Sequence, residues 1–311
     1  MGLWDALRSL LGFNARRPAR PDPGLPATRA MAEPGRDTGQ LAQRLGVPLG
    51  YLETIQPQYR TFTIPKWSGA PRTILAPQDD LKQLQRTILR RLLGRLASHR
   101  AVTGFERGHS IVTNARVHIG AAVVIRMDLK DFFPTTKAAR VGEYFRLIGW
   151  NDEAAALLMR LCTHGGSLPQ GAPTSPRLSN LVNYRMDARL AALAAKLGAA
   201  YTRYADDITF SLGQDCRWLA AAAIRGTKAI VADYGYTLHQ KRKLIIRRRH
   251  QSQRVTGLVV NERVALPRST RRRLRAIRHC LDTGRPATLT ASQLAGWDAL
   301  EHMIRTQSRS E

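Results

Sequence analysis

The sequence predicts an α+β fold, because helical and strand periodicities stand side by side along one chain. Asp79 to Leu96 puts Leu81, Leu84, Ile88, Leu92 and Leu96 on one helical face, and Pro176 to Leu197 repeats that spacing with Leu178, Leu181, Leu190 and Leu193. Ala122 to Leu129, AVVIRMDL, is β-branched and apolar on a strand period. Two hairpin signatures, one across Ser68-Gly69-Ala70-Pro71 and one centred on Ala205-Asp206, add further strands.

The elements follow in order. Residues 1–13 read as a short amphipathic helix, since Asp5 and the lack of a small-residue cleavage site argue against a signal peptide. Residues 14–40 are rich in Pro, Gly, Ala and Arg without periodicity, so 1–40 is an extension or linker. Order begins near Leu41 with a short helix ending at Gly46. The hairpin YRTFTIPKWSGAPRTILAP follows, its second run being Arg72 to Leu75. Lys130-DFFPTT ends the 122–129 strand. After the helix over 176–197 and the second hairpin, Trp218 to Tyr234 is an Ala-rich helix and Gln253 to Asn261 a strand. From Pro267 the chain becomes basic helix, and 304–311 is a polar tail. No internal repeat is present.

Composition narrows the partners. In 311 residues, 49 Lys+Arg face 23 Asp+Glu, a formal +26. Such an excess costs stability by self-repulsion unless a polyanion neutralises it, and phosphate backbones gain affinity through counterion release. An anionic membrane is the weaker alternative to a phosphate backbone, and no apolar run is long enough to span a bilayer, so no transmembrane span is expected. Cys162, Cys216 and Cys280 are widely spaced, which points to a reducing cytoplasm and to neither disulfides nor zinc.

Against that background, the adjacent acids of Tyr204-Ala205-Asp206-Asp207 need a reason. Asp128 ends a strand 78 residues earlier (206 minus 128). If that strand lies beside the second hairpin, three carboxylates converge. Hard oxygen ligands suit Mg²⁺, which keeps waters and takes substrate phosphates. Two such ions serve phosphoryl transfer. An Asp-Asp pair in a turn is also ordinary turn chemistry, so the pair alone decides nothing.

The wider series decides it. FTIPK to Arg72, DLKDFF (Asp128 to Phe133), LPQGAPTSP (Leu168 to Pro176), YADD and the Lys-rich segment near Lys241 stand in one order, and together resemble a reverse transcriptase over about Tyr51 to Arg275. Asn114-Ala115-Arg116-Val117-His118 and Val255-Thr256-Gly257 resemble the NAxxH and VTG signatures of bacterial retron reverse transcriptases. The resemblance implies a right-hand polymerase: fingers with part of the palm over 41–120, a palm of antiparallel sheet with helices on one face over 121–255, and a small basic helical thumb over 256–311. It implies copying part of a cognate structured non-coding RNA from deoxynucleotides, primed by a 2′-hydroxyl, to leave a branched RNA–DNA product. A role in phage defence with an effector protein is carried along.

Site roles follow by resemblance. Asp128, Asp206 and Asp207 would hold two Mg²⁺ (Mn²⁺ as substitute), with a carbonyl from Leu129. Lys66 and Arg72 would grip the triphosphate; by themselves they read as solvated hairpin charges. Asp131, Phe132, Phe133, Gln170 and Gly171 would line the incoming nucleotide. Phe133 would exclude a ribose 2′-hydroxyl, although a core Phe reads the same way and Phe132 fits as well. The further cation is Arg242 or Lys243 by two different counts, with Lys243 preferred. Tyr204, Asn114, His118, Val255, Thr256 and Gly257 would face template and primer or organise the neighbouring palm strand. Lys241 to Arg249 and the helix bearing Arg271, Arg272 and Arg275 would hold duplex or stem, where a charge run alone reads as a solvated face. Another bacterial class (intron-encoded, diversity-generating or abortive-infection) and a non-enzymatic RNA-binding palm are the competing readings.

Overall fold

The computed structural model describes residues 35–65, 69, 71–239 and 243–308. Helix α1 (Thr38–Leu45) starts ahead of Leu41 because Asp37 caps it, accepting from the Gln40 amide at 2.7 Å. Gly46, in the left-handed region, ends it as expected. Helix α2 (Leu49–Thr54) leads into the hairpin of β1 (Tyr59–Pro65) and β2 (Pro71–Pro77), paired from Tyr59↔Pro77 to Pro65↔Pro71. Ser68 and Ala70 of the turn read across 68–71, and Lys66, lie outside the described residues. Helix α3 (Asp79–Ile88) widens into a π-helical turn at Leu89–Leu93, so the long helix read through Leu96 stops early.

The central sheet is antiparallel with order β4-β5-β3-β6. Strands β3 (Val123–Asp128), β4 (Ala199–Tyr204) and β5 (Asp207–Leu212) occupy the segments read as strand and hairpin. Strand β6 (Ile245–Arg248) was read only as part of a basic run; it pairs with β3 from Val123↔Arg248 to Arg126↔Ile245. Alternation along the pleat divides the sheet. Val123, Ile125 and Met127 join Ile208, Phe210 and Leu212 in one core with Leu190 and Leu193 of α9 (Tyr184–Lys196) and Ala223 and Ile230 of α10 (Arg217–Asp233). The odd-numbered positions of β3 therefore face helices, and Arg126 and Asp128 face the other way. A slip of one residue would drive Asp128 into that core, so the apolar face fixes the register of the acids.

The remaining helices are α4 (Ile111–Arg116), α5 (Phe132–Thr135), α6 (Ala138–Leu147), α7 (Asp152–Cys162) and α8 (Ser175–Leu181). The single helix read over 176–197 is two, α8 and α9, broken at Val182-Asn183. Arg140 takes the Val182 carbonyl and the Asn183 side chain there, at 3.1 and 2.7 Å. Helices α1, α3, α6 and α7 share a second core around Leu45, Ile88, Phe145 and Leu158. A third core joins Val112 and Ala115 of α4 to Val255, Leu258, Leu274, Ile277 and Ile304. Gln253 to Asn261 is no single strand. It is a tight hairpin, β7 (Arg254–Val255) and β8 (Leu258–Val259), turning at Thr256 (φ 47) and Gly257 (φ 84), the two positive φ values of a type I′ turn. Helix α11 (Arg268–Asp282) is the basic helix, and α12 (Ala291–Gln307) buries Ile304 in the stretch read as polar tail. The three cysteines are free, and no described helix is long and apolar enough to cross a membrane.

Candidate active site

Two strands and one turn assemble the acids. In the register of β3 and β5, Asp128 stands directly opposite Asp207. Tyr204 pairs with Asp207, so Ala205 and Asp206 form a two-residue turn, with Ala205 at φ 57. The Leu129 amide donates to the Asp206 carbonyl at 3.0 Å, pinning that turn to the end of β3. Beyond the turn, the Asp128 carbonyl accepts from the His239 amide at 2.8 Å. The three carboxylates thus meet at one sheet end, on the face turned away from the helices.

Their charges are felt. Burial, then the neighbouring charges of Asp128 and Asp207, push the Asp206 carboxyl up to about 6. Burial also raises Asp207, partly offset by Arg126, whose Nη2 lies 3.2 Å from Asp207 Oδ2. Lys243 Nζ touches both oxygens of Asp128, at 2.8 and 2.9 Å, and His239 Nε2 is 3.4 Å from one of them. As the side chains stand, no three His, Cys, Asp or Glu groups among the described residues form a metal cluster. Lys243 and Arg126 hold Asp128 and Asp207 where a cation would. Hard carboxylate oxygens, mutually repelling and already met by positive charge, are the donor set that a divalent ion with oxygen preference fits. Arg126 and His239 escaped the sequence reading. Arg126 was within its reach, two residues before Asp128 and so on the same face of the strand.

A buried network holds the turn. Arg203 donates from Nη1 to the Ala205 carbonyl at 2.9 Å and from Nε and Nη2 to the two oxygens of Asp187, at 2.7 and 2.6 Å. Asn180 accepts from Arg203 at 3.3 Å and donates to the Gly104 carbonyl at 2.7 Å. Gly104 presses on the turn so closely that a Cβ there would lie 2.5 Å from the Ala205 nitrogen. Arg203 also stacks over Phe132, 5.5 Å from its ring centre.

The family model for reverse transcriptase (RNA-dependent DNA polymerase) matches residues 64–260, about two thirds of the chain and the whole of this site. The chain belongs to the reverse transcriptase family. It is 38% identical over 279 residues to the retron Mx162 reverse transcriptase of Myxococcus xanthus, covering 79% of this chain and 57% of that protein. To the retron Mx65 reverse transcriptase of the same organism it is 39% identical over 275 residues, 78% and 62%. To the retron Ec86 reverse transcriptase of Escherichia coli it is 35% identical over 256 residues, 81% and 78%. The chain thus spans less than two thirds of the two Myxococcus relatives it matches. Membership carries the palm-type polymerase fold, and the four-stranded sheet is its palm.

The other positions singled out from the sequence lie around this site and beyond it. Phe132 is buried against Tyr236 and Arg203, whereas Phe133 is half-buried, so of the two only Phe133 has ring surface to offer at the site. Asp131, exposed at φ 47, precedes them. The Gln170 carbonyl accepts from the Leu75 amide at 2.9 Å, and a Cβ on Gly171 (φ 134) would lie 2.8 Å from the Leu75 carbonyl oxygen. The glycine's close approach is therefore to β2, on which Arg72 is exposed. Asn114 and His118 are buried. Asn114 accepts from Thr103 at 2.7 Å, while the two ring nitrogens of His118 lie 2.8 Å from Ser211 Oγ and 2.7 Å from Thr202 Oγ1. Both ring nitrogens of His118 are thus spent on the protein, and His118 ties β4 to β5. Val255 is buried in the same core as Ala115, and Thr256 Oγ1 donates to the Ile111 carbonyl at 2.8 Å, which seats the 255–257 turn on α4. Arg271, Arg272 and Arg275 are exposed on α11.

Proposed function

We propose that this chain is an RNA-directed DNA polymerase of the retron class. It copies part of a cognate structured RNA into DNA from a 2′-hydroxyl of that RNA, leaving a branched product. The observation that carries the reading is the cross-strand pairing of Asp128 with Asp207, with Asp206 in the adjoining turn, in a chain of formal +26. Asp128, Asp206 and Asp207, with the Leu129 carbonyl, would hold the divalent ions, Mg²⁺ by donor type. Ions held there supply Lewis-acid stabilisation of the charge that develops in nucleotidyl transfer.

The chain's own groups do the rest. Arg72 on β2, in a hairpin serving as fingers, and Lys66, next in sequence after β1, neutralise the triphosphate. Lys243, resting on Asp128, is within reach of the same charge. Phe133 closes the sugar's 2′ side, and Asp131, Phe132, Gln170 and Gly171 shape that wall. Tyr204, beside the acids, faces the primer. Asn114, His118 and Val255-Thr256-Gly257 brace the palm against the 256–311 thumb, where Arg271, Arg272 and Arg275 take backbone phosphates of the RNA stem. A defence role with an effector protein, in the cytoplasm, rests on resemblance to retron enzymes.

The test is purified protein with its neighbouring structured RNA, deoxynucleotides and Mg²⁺. DNA that remains joined to RNA until a 2′–5′ debranching enzyme is added supports the retron reading. Linear cDNA alone would assign another bacterial class, and no incorporation would leave a non-enzymatic RNA-binding palm.

A further inference from the structure

The helices over the palm sheet leave a groove that the carboxylate chemistry does not use. It holds about 650 Å³ and opens between α6, the break between α8 and α9, and the end of α10. Tyr144, Tyr184 and Tyr234 are half-buried in its lining, and Leu147 stands with them 44% exposed. Its walls are fixed by Arg140. That residue donates to the Tyr234 and Val182 carbonyls, each at 3.1 Å, and to Asn183 Oδ1 at 2.7 Å, with its guanidinium 5.5 Å from the Tyr234 ring centre. The other charges of the lining are balanced, Lys137 and Arg185 against Glu143 and Asp233. In a chain of formal +26, that balance offers little to a phosphate backbone and suits an apolar segment of low net charge.

The described chain begins beside this groove. Arg36 forms a parallel bridge to Trp150: its amide donates to the Gly149 carbonyl, and its carbonyl accepts from the Asn151 amide, both at 2.9 Å. Its guanidinium lies over the Trp150 ring, 4.9 Å from the centre, and donates to the Ile148 carbonyl. A Cβ on Gly35 would lie 2.9 Å from the Asn151 nitrogen. The chain is thus fastened at 35–36 to the turn that directly follows Leu147. Upstream, LWDALRSLL over residues 3–11 places Leu3, Trp4, Leu7, Leu10 and Leu11 within about 120° of a helical wheel, with Asp5, Arg8 and Ser9 outside that arc. A helix so short is marginal in water unless its apolar face packs on something. The 21 residues from 14 to 34 span roughly 25 Å as a flexible chain, enough to return that face to the groove from its anchor at 35–36.

We propose that residues 3–13 dock in this groove of their own chain, setting Leu7 and Leu10 against Leu147 and the three tyrosines. The docking holds whether or not the chain polymerises. The test is brief trypsin digestion of the full chain, read by mass spectrometry. Arg8 lies inside the docked segment, while Arg16 and Arg29 lie in the linker and serve as references, Arg17 and Arg20 being shielded by the prolines that follow them. Cleavage tracks the population of the open form, so the wild type should be cut after Arg8 about tenfold more slowly than after Arg16. Leu147→Asp should bring the two rates within about twofold, and Leu147→Met should keep the protection. Both variants should leave cleavage after Arg29 unchanged and melt within about 2 °C of wild type, since Leu147 is half exposed. With Cys216→Ser and Cys280→Ser in place, Leu7→Cys and Leu147→Cys should join in one chain under mild oxidation. Equal rates at Arg8 and Arg16 in the wild type, or full protection in Leu147→Asp, overturns the proposal. Protection that grows with protein concentration overturns it in favour of a second copy. Protection that appears only with phosphatidylserine vesicles overturns it in favour of a membrane.

Discussion

Arg203 meets Asp187 through two parallel bonds, at 2.7 and 2.6 Å, with both side chains wholly buried. A buried pair of this kind is weak evidence for stability, because desolvation offsets the attraction. Its third arm explains its presence better: Nη1 holds the Ala205 carbonyl in the turn that carries Asp206. Arg203→Ala strands the Asp187 charge and should cost about 3–5 kcal/mol in denaturant melts. The double change Arg203→Met with Asp187→Leu should recover most of that, yet slow single-nucleotide extension by about tenfold or more, since misplacing a reacting group weighs on rate. A stable double variant with wild-type rate would reduce the network to packing.

Asp206→Ala with Asp207→Ala should lower extension by about 1000-fold or more, the several kcal/mol of charge stabilisation that metal ligands support. RNA affinity should hold, because the basic surface is untouched; joint loss of both would mean a structural role. The raised Asp206 carboxyl has its own signature. Its folded value of about 6 lies above the ordinary 3.8, so ionising it opposes folding. In chelator, stability should rise as pH falls from about 6 toward 4, and Asp206→Asn should raise the melting temperature at pH 7 to 8.

Which parts of this were readable in advance follows from how local their causes are. The strand at 122–129 and the hairpin at Ala205-Asp206 could be read because alternation and turn chemistry are written in adjacent residues. The meeting of Asp128 with Asp207 needed a pairing that periodicity cannot supply, and the motif order supplied it. Strand β6 was hidden because Ile245 and Ile246 lie in a run of Lys and Arg, where charge outweighs the strand signal. The break between α8 and α9 was hidden for another reason. It depends on Arg140, more than 40 residues away, taking a carbonyl that the helix releases. Arg203 and Asp187 give no sequence signal at all, being one charge on a strand and one on a helix until the fold joins them.

His118 gives an opposite pH response. Burial lowers its imidazole from the ordinary 6.5 to about 3, so the folded chain keeps it neutral while the unfolded chain takes a proton. Its contribution should be intact above pH 6.5 and drain away as pH falls toward 3. His118→Gln should remove that slope from urea melts between pH 6 and 4, and should lower stability by about 1–3 kcal/mol through Ser211 and Thr202 left unpaired. An unchanged slope would assign the acid sensitivity to other groups.

Phe132 is a core residue, and Phe133 is the proposed gate. Phe132→Ala opens a cavity against Tyr236 and should cost about 3–5 kcal/mol of stability. Phe133→Ala should leave the fold nearly unchanged and relax sugar selection by roughly 10- to 200-fold in relative kcat/KM, as loss of a shape contact does. The check is extension with ribonucleotides against deoxynucleotides. Equal selectivity in the variant and wild type would move the gate elsewhere.

Lys243 occupies the ground that the proposed metal would share. Its ammonium spans both oxygens of Asp128, so a divalent ion arriving there has to displace it or accept a cation beside it. The lysine is half exposed, which screens the repulsion but does not abolish it. Lys243→Gln should therefore bind Mn²⁺ several-fold more tightly in the absence of nucleotide, measured by calorimetry. The same variant should extend a primer more slowly, because the positive charge that leaves Asp128 is the one available to the triphosphate. Tighter ion binding together with an undiminished rate would confine Lys243 to holding the empty carboxylate. Unchanged ion binding would mean that Asp128 receives its metal without moving the lysine.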